Sequence, residues 1–405
     1  MDILVGGFGP LNGQTCKGVE RFELALGAQN AAAVEIGAAG KGKSVGNGRA
    51  VQVLRRDMLA ELPSPTWLER DGDMLYAVLE NTGEIASLRI QHDGEGLHVR
   101  ALSRVPVQGD GPTHAAVAID DEGRRRLVVA NYGDGSIAVH PIGDDGCAMQ
   151  GTQLPRGEGH GPVPAQAGPH AHWALPLPDG RVLATDLGAD RIYVHQWNHG
   201  VLRRIGAVTL APGTGPRDMH LIPANDGGWR VAAVGEWGNS VTLLACEDAS
   251  EDPSEREHAA GGDDFRIVQT IDLGGDPGDQ AASLAYAPSS SACAARSARP
   301  ARAKETTPAS AGFAYIGLRG SERIITLAWD GERFARLAEP ATPGWRGRGV
   351  PCGGRRPRQL VALGSILLAA DEASNNIAAF DLLPTGEPRE CARFDADSPT
   401  AILQA

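Results

Sequence analysis

Two histidines stand two residues apart in QAGPHAHWALPLPDG, at His170 and His172. Residues two apart on a β-strand share a face, so both rings would serve one site. Such a pair admits three roles. It could bind a divalent metal with Asp186 or Glu236, it could move a proton, or His172 could be a buried, hydrogen-bonded packing residue. No further ligand spacing supports the metal. Other ionisable residues recur at fixed offsets. Glu80, Glu236, Arg319 and Glu372 each lie five residues before the apolar residue that opens a following strand, at Ile85, Val241, Ile324 and Ile377. His170, Arg217 and Arg358 each directly follow a strand-opening proline. If these places are equivalent in space, one mouth gathers two histidines, several carboxylates and three arginines. That mix suits an anionic ester. Arginine holds carboxylate or phosphate through paired hydrogen bonds and steadies a developing oxyanion, and a His or Glu takes a proton from water. Plainer readings stand beside this one. Arg217 and Glu236 could form a structural ion pair, Arg319 could cap its own turn, and His114, after Pro-Thr, could pack inside its strand. A serine nucleophile has no support, because no GxSxG elbow occurs.

Fixed offsets need a repeated element to carry them. The strand–turn–strand pattern around His170 recurs at 64–90, 111–142, 215–246, 281–288 resumed at 312–329, and 356–383. The opening prolines Pro65, Pro112, Pro169 and Pro216 are spaced by 47, 57 and 47 residues, near the length of a four-stranded propeller blade. Stretches such as 96–107 and 202–210 supply a fourth, outer strand. That makes six copies. Residues 3–9 and 17–24 read as a seventh copy lacking its first strand, and SPTAILQA (398–405) resembles the missing piece. The expected fold is all-β, a seven-bladed β-propeller with six blades the alternative count, in which the C-terminal strand completes the N-terminal blade and leaves no sheet edge open. The expected organisation is one domain over 1–405 with insertions at about 28–50, 247–264 and 289–310. Trp67, Trp173, Trp197, Trp237, Trp329 and Trp345 read as packing between blades.

The first insertion holds GAAGKGKS (37–44), a full match to the P-loop pattern. A P-loop needs a buried strand before it and a helix after it, and VGNGRAVQV is poor helix material, so this stretch is expected to bind no nucleotide.

Composition narrows the partners. Fifty acidic residues outnumber 38 basic ones, for a net charge of -12, which repels nucleic acid and anionic membrane surfaces. No run of 18 apolar residues occurs, and MDILVGGFGP lacks a basic leader. The expectation is a cytoplasmic protein that takes a small-molecule partner, with no nucleic acid and no membrane. The six cysteines are scattered without zinc spacing, and neither metal nor cofactor is expected.

GPHAHWALPLPDGRVLATDLGADRIYVHQW resembles the signature of the lactonase family of seven-bladed β-propellers. VVANYGDGSIAVHPI, TGPRDMHLIP, AAVGEWGNSVTLL, AYIGLRGSERIITL and RPRQLVAL resemble its other blade motifs. That family includes propeller-type 6-phosphogluconolactonases and carboxymuconate-lactonizing enzymes. The resemblance implies a lactone hydrolase acting on a sugar-derived or carboxylated lactone, 6-phosphogluconolactone first, with lactone formation by proton transfer as the enzymatic alternative. A propeller scaffold that binds a protein partner is the non-enzymatic one. The resemblance carries catalytic roles onto His170 or His172, Arg217, Glu236 and Arg319. Arg358, Glu372 and His114 join them as expected substrate-binding residues. The family often has His after the GPR arginine; this sequence has Asp218 there.

Overall fold

The computed structural model describes residues 1–27, 31–36, 42–48, 50–94, 96–246, 264–289, 311–337 and 349–405. Among the described residues seven sheets follow one another along the chain, each with a four-stranded antiparallel core. Blade 1 is ordered Pro399–Gln404, Asp2–Gly7, Gly18–Leu26, Val51–Glu61 from the axis outward, and blade 2 begins with Pro65–Asp71 and Met74–Leu79. The innermost strands of blades 3 to 7 are Pro112–Ile119, Ala171–Pro176, Pro216–Pro223, Ala281–Pro288 and Pro357–Leu363. Proline is tolerated at the first residue of an edge strand, where no ladder N–H is required.

The strands read as nearly continuous apolar runs because each blade is covered on both faces. Successive residues point to opposite faces. In blade 4, Val182 and Ala184 pack with Ala118 and Val128 of blade 3, while Leu183 packs with Met219 and Val231 of blade 5. Seven buried clusters result, one at each contact between neighbouring blades. Indoles add polar ties across two contacts: Trp67 Nε1 donates to Ala115 O (2.9 Å) and Trp329 Nε1 to Pro223 O (2.7 Å). Trp345 lies outside the described residues.

The ring closes as the sequence implies. Pro399–Gln404 pairs antiparallel with Asp2–Gly7, placing Leu4 opposite Leu403 and Val5 opposite Ile402. Within the first insertion, Ala31–Ile36 adds parallel to the outer strand of blade 7, Pro388–Asp395, and Gly42–Gly48 adds beside it. Residues 37–41 of GAAGKGKS lie outside the described residues, and the stretch continues into a strand rather than the helix a P-loop needs. Residues 247–263 of the second insertion and 290–310 of the third lie outside them too.

Candidate active site

All seven innermost strands share a defect at the same end. Their first ladder pairs are Pro65 with Leu79, Pro112 with Asn131, Ala171 with Asp186, Pro216 with Gly235, Ala281 with Leu318, Pro357 with Asp371 and Pro399 with Gly7, and the register shifts immediately inside each. A β-bulge adds a residue to one strand and re-aims its side chain. The residues that follow these first pairs are Thr66, Thr113, His172, Arg217, Ala282, Arg358 and Thr400, and all seven line one cavity of about 50 Å³ on the channel axis. The bulges thus turn one side chain per blade into the channel.

A second layer caps the first. Phe8, Glu80, Tyr132, Leu187, Glu236, Arg319 and Glu372 each follow the second strand of a blade. Their N–H groups donate to the carbonyls of Ser398, Ser64, Gly111, His170, Gly215, Gln280 and Arg356, at 2.8 to 3.3 Å. Each acceptor immediately precedes an innermost strand, so these seven residues occupy one level around the ring.

This register corrects one expectation. His170 does not match Arg217 and Arg358; His172 does. The pair formed by Ala171 and Asp186 corresponds to the pairs opened by Pro216 and Pro357, while Pro169 stands two residues outside the ladder. His170 therefore sits one level further out, in the place of Gly215 and Arg356.

Charge is concentrated where the layers meet. Glu236 receives two guanidiniums from different blades: Arg217 Nη1 lies 2.8 Å from Oε2 and Arg319 Nη2 lies 2.5 Å from Oε1. All three residues are buried. Burial pushes the Glu236 carboxyl up, but Arg217 and Arg319 more than offset it and hold the group below the usual carboxylate range. Burial, then the nearby charge of Arg217, pushes Arg319 down to about 9. Arg358 Nε lies 3.3 Å from Glu372 Oε2, and its guanidinium rests 5.1 Å from the centre of the Phe8 ring. Glu80 differs from these carboxylates. Burial raises it, and the opposing pull of Arg358 and Thr66 does not restore it. Three arginines thus face two ion-paired carboxylates and a third carboxyl, Glu80, whose charged form burial disfavours.

The two histidines differ in the same setting. Burial, then the charges of Arg217 and Arg358, hold His172 well below 6.5, so its ring is neutral, and its Nδ1 meets no partner among the described residues. His170 is half-buried. Its Nδ1 donates to the Tyr132 carbonyl at 2.7 Å, which leaves Nε2 as the basic nitrogen, and its ring stacks on Tyr132 at 4.4 Å and 17°. Asp186 shapes this corner: its Oδ1 accepts the N–H groups of His170, Gly188 and Ala189. Among the described residues no three His, Cys, Asp or Glu side chains converge as metal ligands.

His114 lies one layer below. It is buried, stacked on Trp173 at 3.7 Å and packed against Trp67 at 4.5 Å, and its Nδ1 accepts the Ala174 N–H. It does not line the cavity. Tyr132 joins the site without having been anticipated, although Tyr132 lies five residues before Ile137, the offset that singles out Glu80 and Glu236. Burial raises its phenol, and the Glu236 charge adds to this.

A family model described as Lactonase, 7-bladed beta-propeller matches residues 47–404. The chain belongs to this family. The matched span of the lactonase domain takes in both layers of the mouth except Phe8. The 6-phosphogluconolactonase of Bacillus subtilis (strain 168) is 30% identical over 169 residues, which cover 41% of this chain and 48% of that protein. The chain spans about half the length of the curated relatives it matches. Two solved structures share the lactonase-family fold. The periplasmic gluconolactonase of Pseudomonas aeruginosa has a TM-score of 0.69 at 23% identity, covering 99% of this chain and 98% of that one. A protein from Lactobacillus plantarum has a TM-score of 0.67 at 21% identity, covering 99% and 98%. At such identities the likeness is one of fold. No helix among the described residues is long and apolar enough to cross a membrane.

Proposed function

We propose that this propeller hydrolyses an anionic sugar-derived lactone, with 6-phosphogluconolactone the first substrate to test. The observation that carries the reading is the pair of arginines sharing Glu236, together with a histidine on the neighbouring blade whose tautomer is fixed. Water attacks the lactone carbonyl carbon while His170 Nε2 takes its proton. The tetrahedral oxyanion is steadied by the N–H groups of Arg217 and Arg319 that Glu236 leaves unused. The ring C–O bond then breaks, and the departing alkoxide recovers the proton from the imidazolium. Arg358 holds the substrate's anionic group. Glu236, acidic and flanked by two guanidiniums, is a poor base; its role is to fix both arginines. Arginines held at a channel mouth at the cost of desolvation give a non-catalytic scaffold little purpose.

Several supports stand behind the substrate class. Three arginines converge on the mouth, and the Bacillus relative is named for this reaction. A phosphorylated sugar lactone does not cross a membrane unaided, so an enzyme for it acts where it is formed, which favours the cytoplasm. The reading is tested by following acid release from 6-phosphogluconolactone with a pH indicator, against the spontaneous rate. Hydrolysis no faster than that background would overturn it.

A further inference from the structure

The place one level outside the bulge has an unusual backbone. In five blades the residue there has positive φ: Ser64 (50°), Gly111 (60°), Gly215 (60°), Arg356 (58°) and Ser398 (38°). Glycine adopts this region freely and small polar residues tolerate it, but a long side chain is strained in it. Four of the five blades obey that rule and blade 7 breaks it. Strain of this kind persists where the side chain is put to use. Arg356 is exposed, and among the described residues no ion pair or side-chain hydrogen bond engages its guanidinium. Its neighbour Arg355 is occupied, donating from Nη2 to the Ala373 carbonyl at 2.9 Å.

The position of Arg356 supplies a use. Its carbonyl accepts the Glu372 N–H, and Glu372 pairs with Arg358, two residues along the chain. Arg356 therefore stands directly outside the Arg358–Glu372 pair. His170 holds the same level on blade 4, three blades away around a ring of seven. On the proposed function, which puts the carbonyl at His170 and the anionic group at Arg358, the far end of the lactone meets blade 7. In a phosphorylated hexonolactone that far end is a phosphate ester, a dianion that one guanidinium already paired with Glu372 does not neutralise.

We infer that Arg356 is a specificity residue that, with Arg358, reads a phosphate dianion at the end of the substrate remote from the carbonyl. This rests on the lactonase reading and names what separates a phosphorylated from an unphosphorylated lactone. The test is Arg356→Ser, which installs the residue blades 1 and 2 already carry in this conformation. Its melting temperature should equal or exceed the parent's. The ratio of kcat/KM for 6-phosphogluconolactone to that for glucono-1,5-lactone should fall by about tenfold or more, mainly through KM, as expected for loss of a charge-assisted contact. Arg356→Lys should fall between, keeping charge without the planar fork. An unchanged ratio would overturn the assignment. Calorimetry with 6-phosphogluconate and gluconate reads the same preference without turnover. A parent that binds the phosphorylated acid more tightly, with the preference lost in Arg356→Ser, supports the assignment even if hydrolysis is absent. A parent with no preference between the two acids, or a preference kept in the variant, removes it.

Discussion

Arg217 of blade 5 and Arg319 of blade 6 hold opposite oxygens of one carboxylate, at 2.8 and 2.5 Å. Glu236 thereby orients two guanidiniums that would otherwise repel each other in a buried site. Glu236→Gln keeps the shape and removes the charge that holds them. Its kcat on the lactone is expected to fall by roughly 10²–10³, the scale of losing preorganised oxyanion stabilisation. The acidic limb of its pH–rate profile should stay where it is in the parent, because Glu236 is not the base. Steady-state kinetics across pH check both points, and a shifted limb would make Glu236 the proton acceptor.

Arg217→Lys tests geometry rather than charge. An ammonium keeps the positive charge but cannot bridge Glu236 and an oxyanion in one plane. The expected result is a drop in kcat/KM of roughly tenfold or more, with folding unchanged by circular dichroism. Parent-like kinetics would place the anion elsewhere.

Acid should weaken the fold through its buried histidines. His195, on the third strand of blade 4 (Arg191–Asn198), is buried. Burial, reinforced by Arg204, pushes it from 6.5 to about 4. Between those values the unfolded chain binds the proton and the folded chain does not, so stability rises with pH across this window and is lost on acidification through it. Going from pH 7 to pH 4 is expected to cost about 3 kcal/mol through His195 alone. Burial pushes His114 and His172 the same way. Urea unfolding at several pH values measures the slope, and His195→Gln should flatten it; an equal slope in that variant would assign the effect to other groups.

Ring closure is tested by truncation. We propose that the whole chain forms one closed domain. Removing 398–405 would break the five ladder pairs of Pro399–Gln404 with Asp2–Gly7 and uncover that strand's buried Leu4 and Val5. The melting temperature is expected to fall by about 5 °C or more. An unchanged value would mean that the strand contributes little to closure.

Much of this site is legible in the sequence because a closed ring repeats one local solution. The five-residue offset that finds Glu80, Glu236, Arg319 and Glu372 marks one structural level, and their backbone hydrogen bonds are equivalent. The same offset marks Tyr132, whose type did not suggest charge chemistry. The histidine register was harder to read. Counting from a proline aligns His170 with Arg217, but the ladder begins at Ala171, and a bulge adds a residue that a period-two pattern does not reveal. The pairing of Ala31–Ile36 with Pro388–Asp395 joins segments from opposite ends of the chain, and no local pattern announces it.

We propose that lactone hydrolysis occurs at this mouth with His170 as the base. The most direct measurement is the pH–rate profile of 6-phosphogluconolactone hydrolysis by the parent and by His170→Asn, with His172→Asn as comparison. His170→Asn is expected to lower kcat by roughly 10²–10⁴ and to abolish the acidic limb of the profile, while His172→Asn, whose ring is already neutral, should retain that limb. Hydrolysis by His170→Asn at the parental rate with the same limb would contradict it.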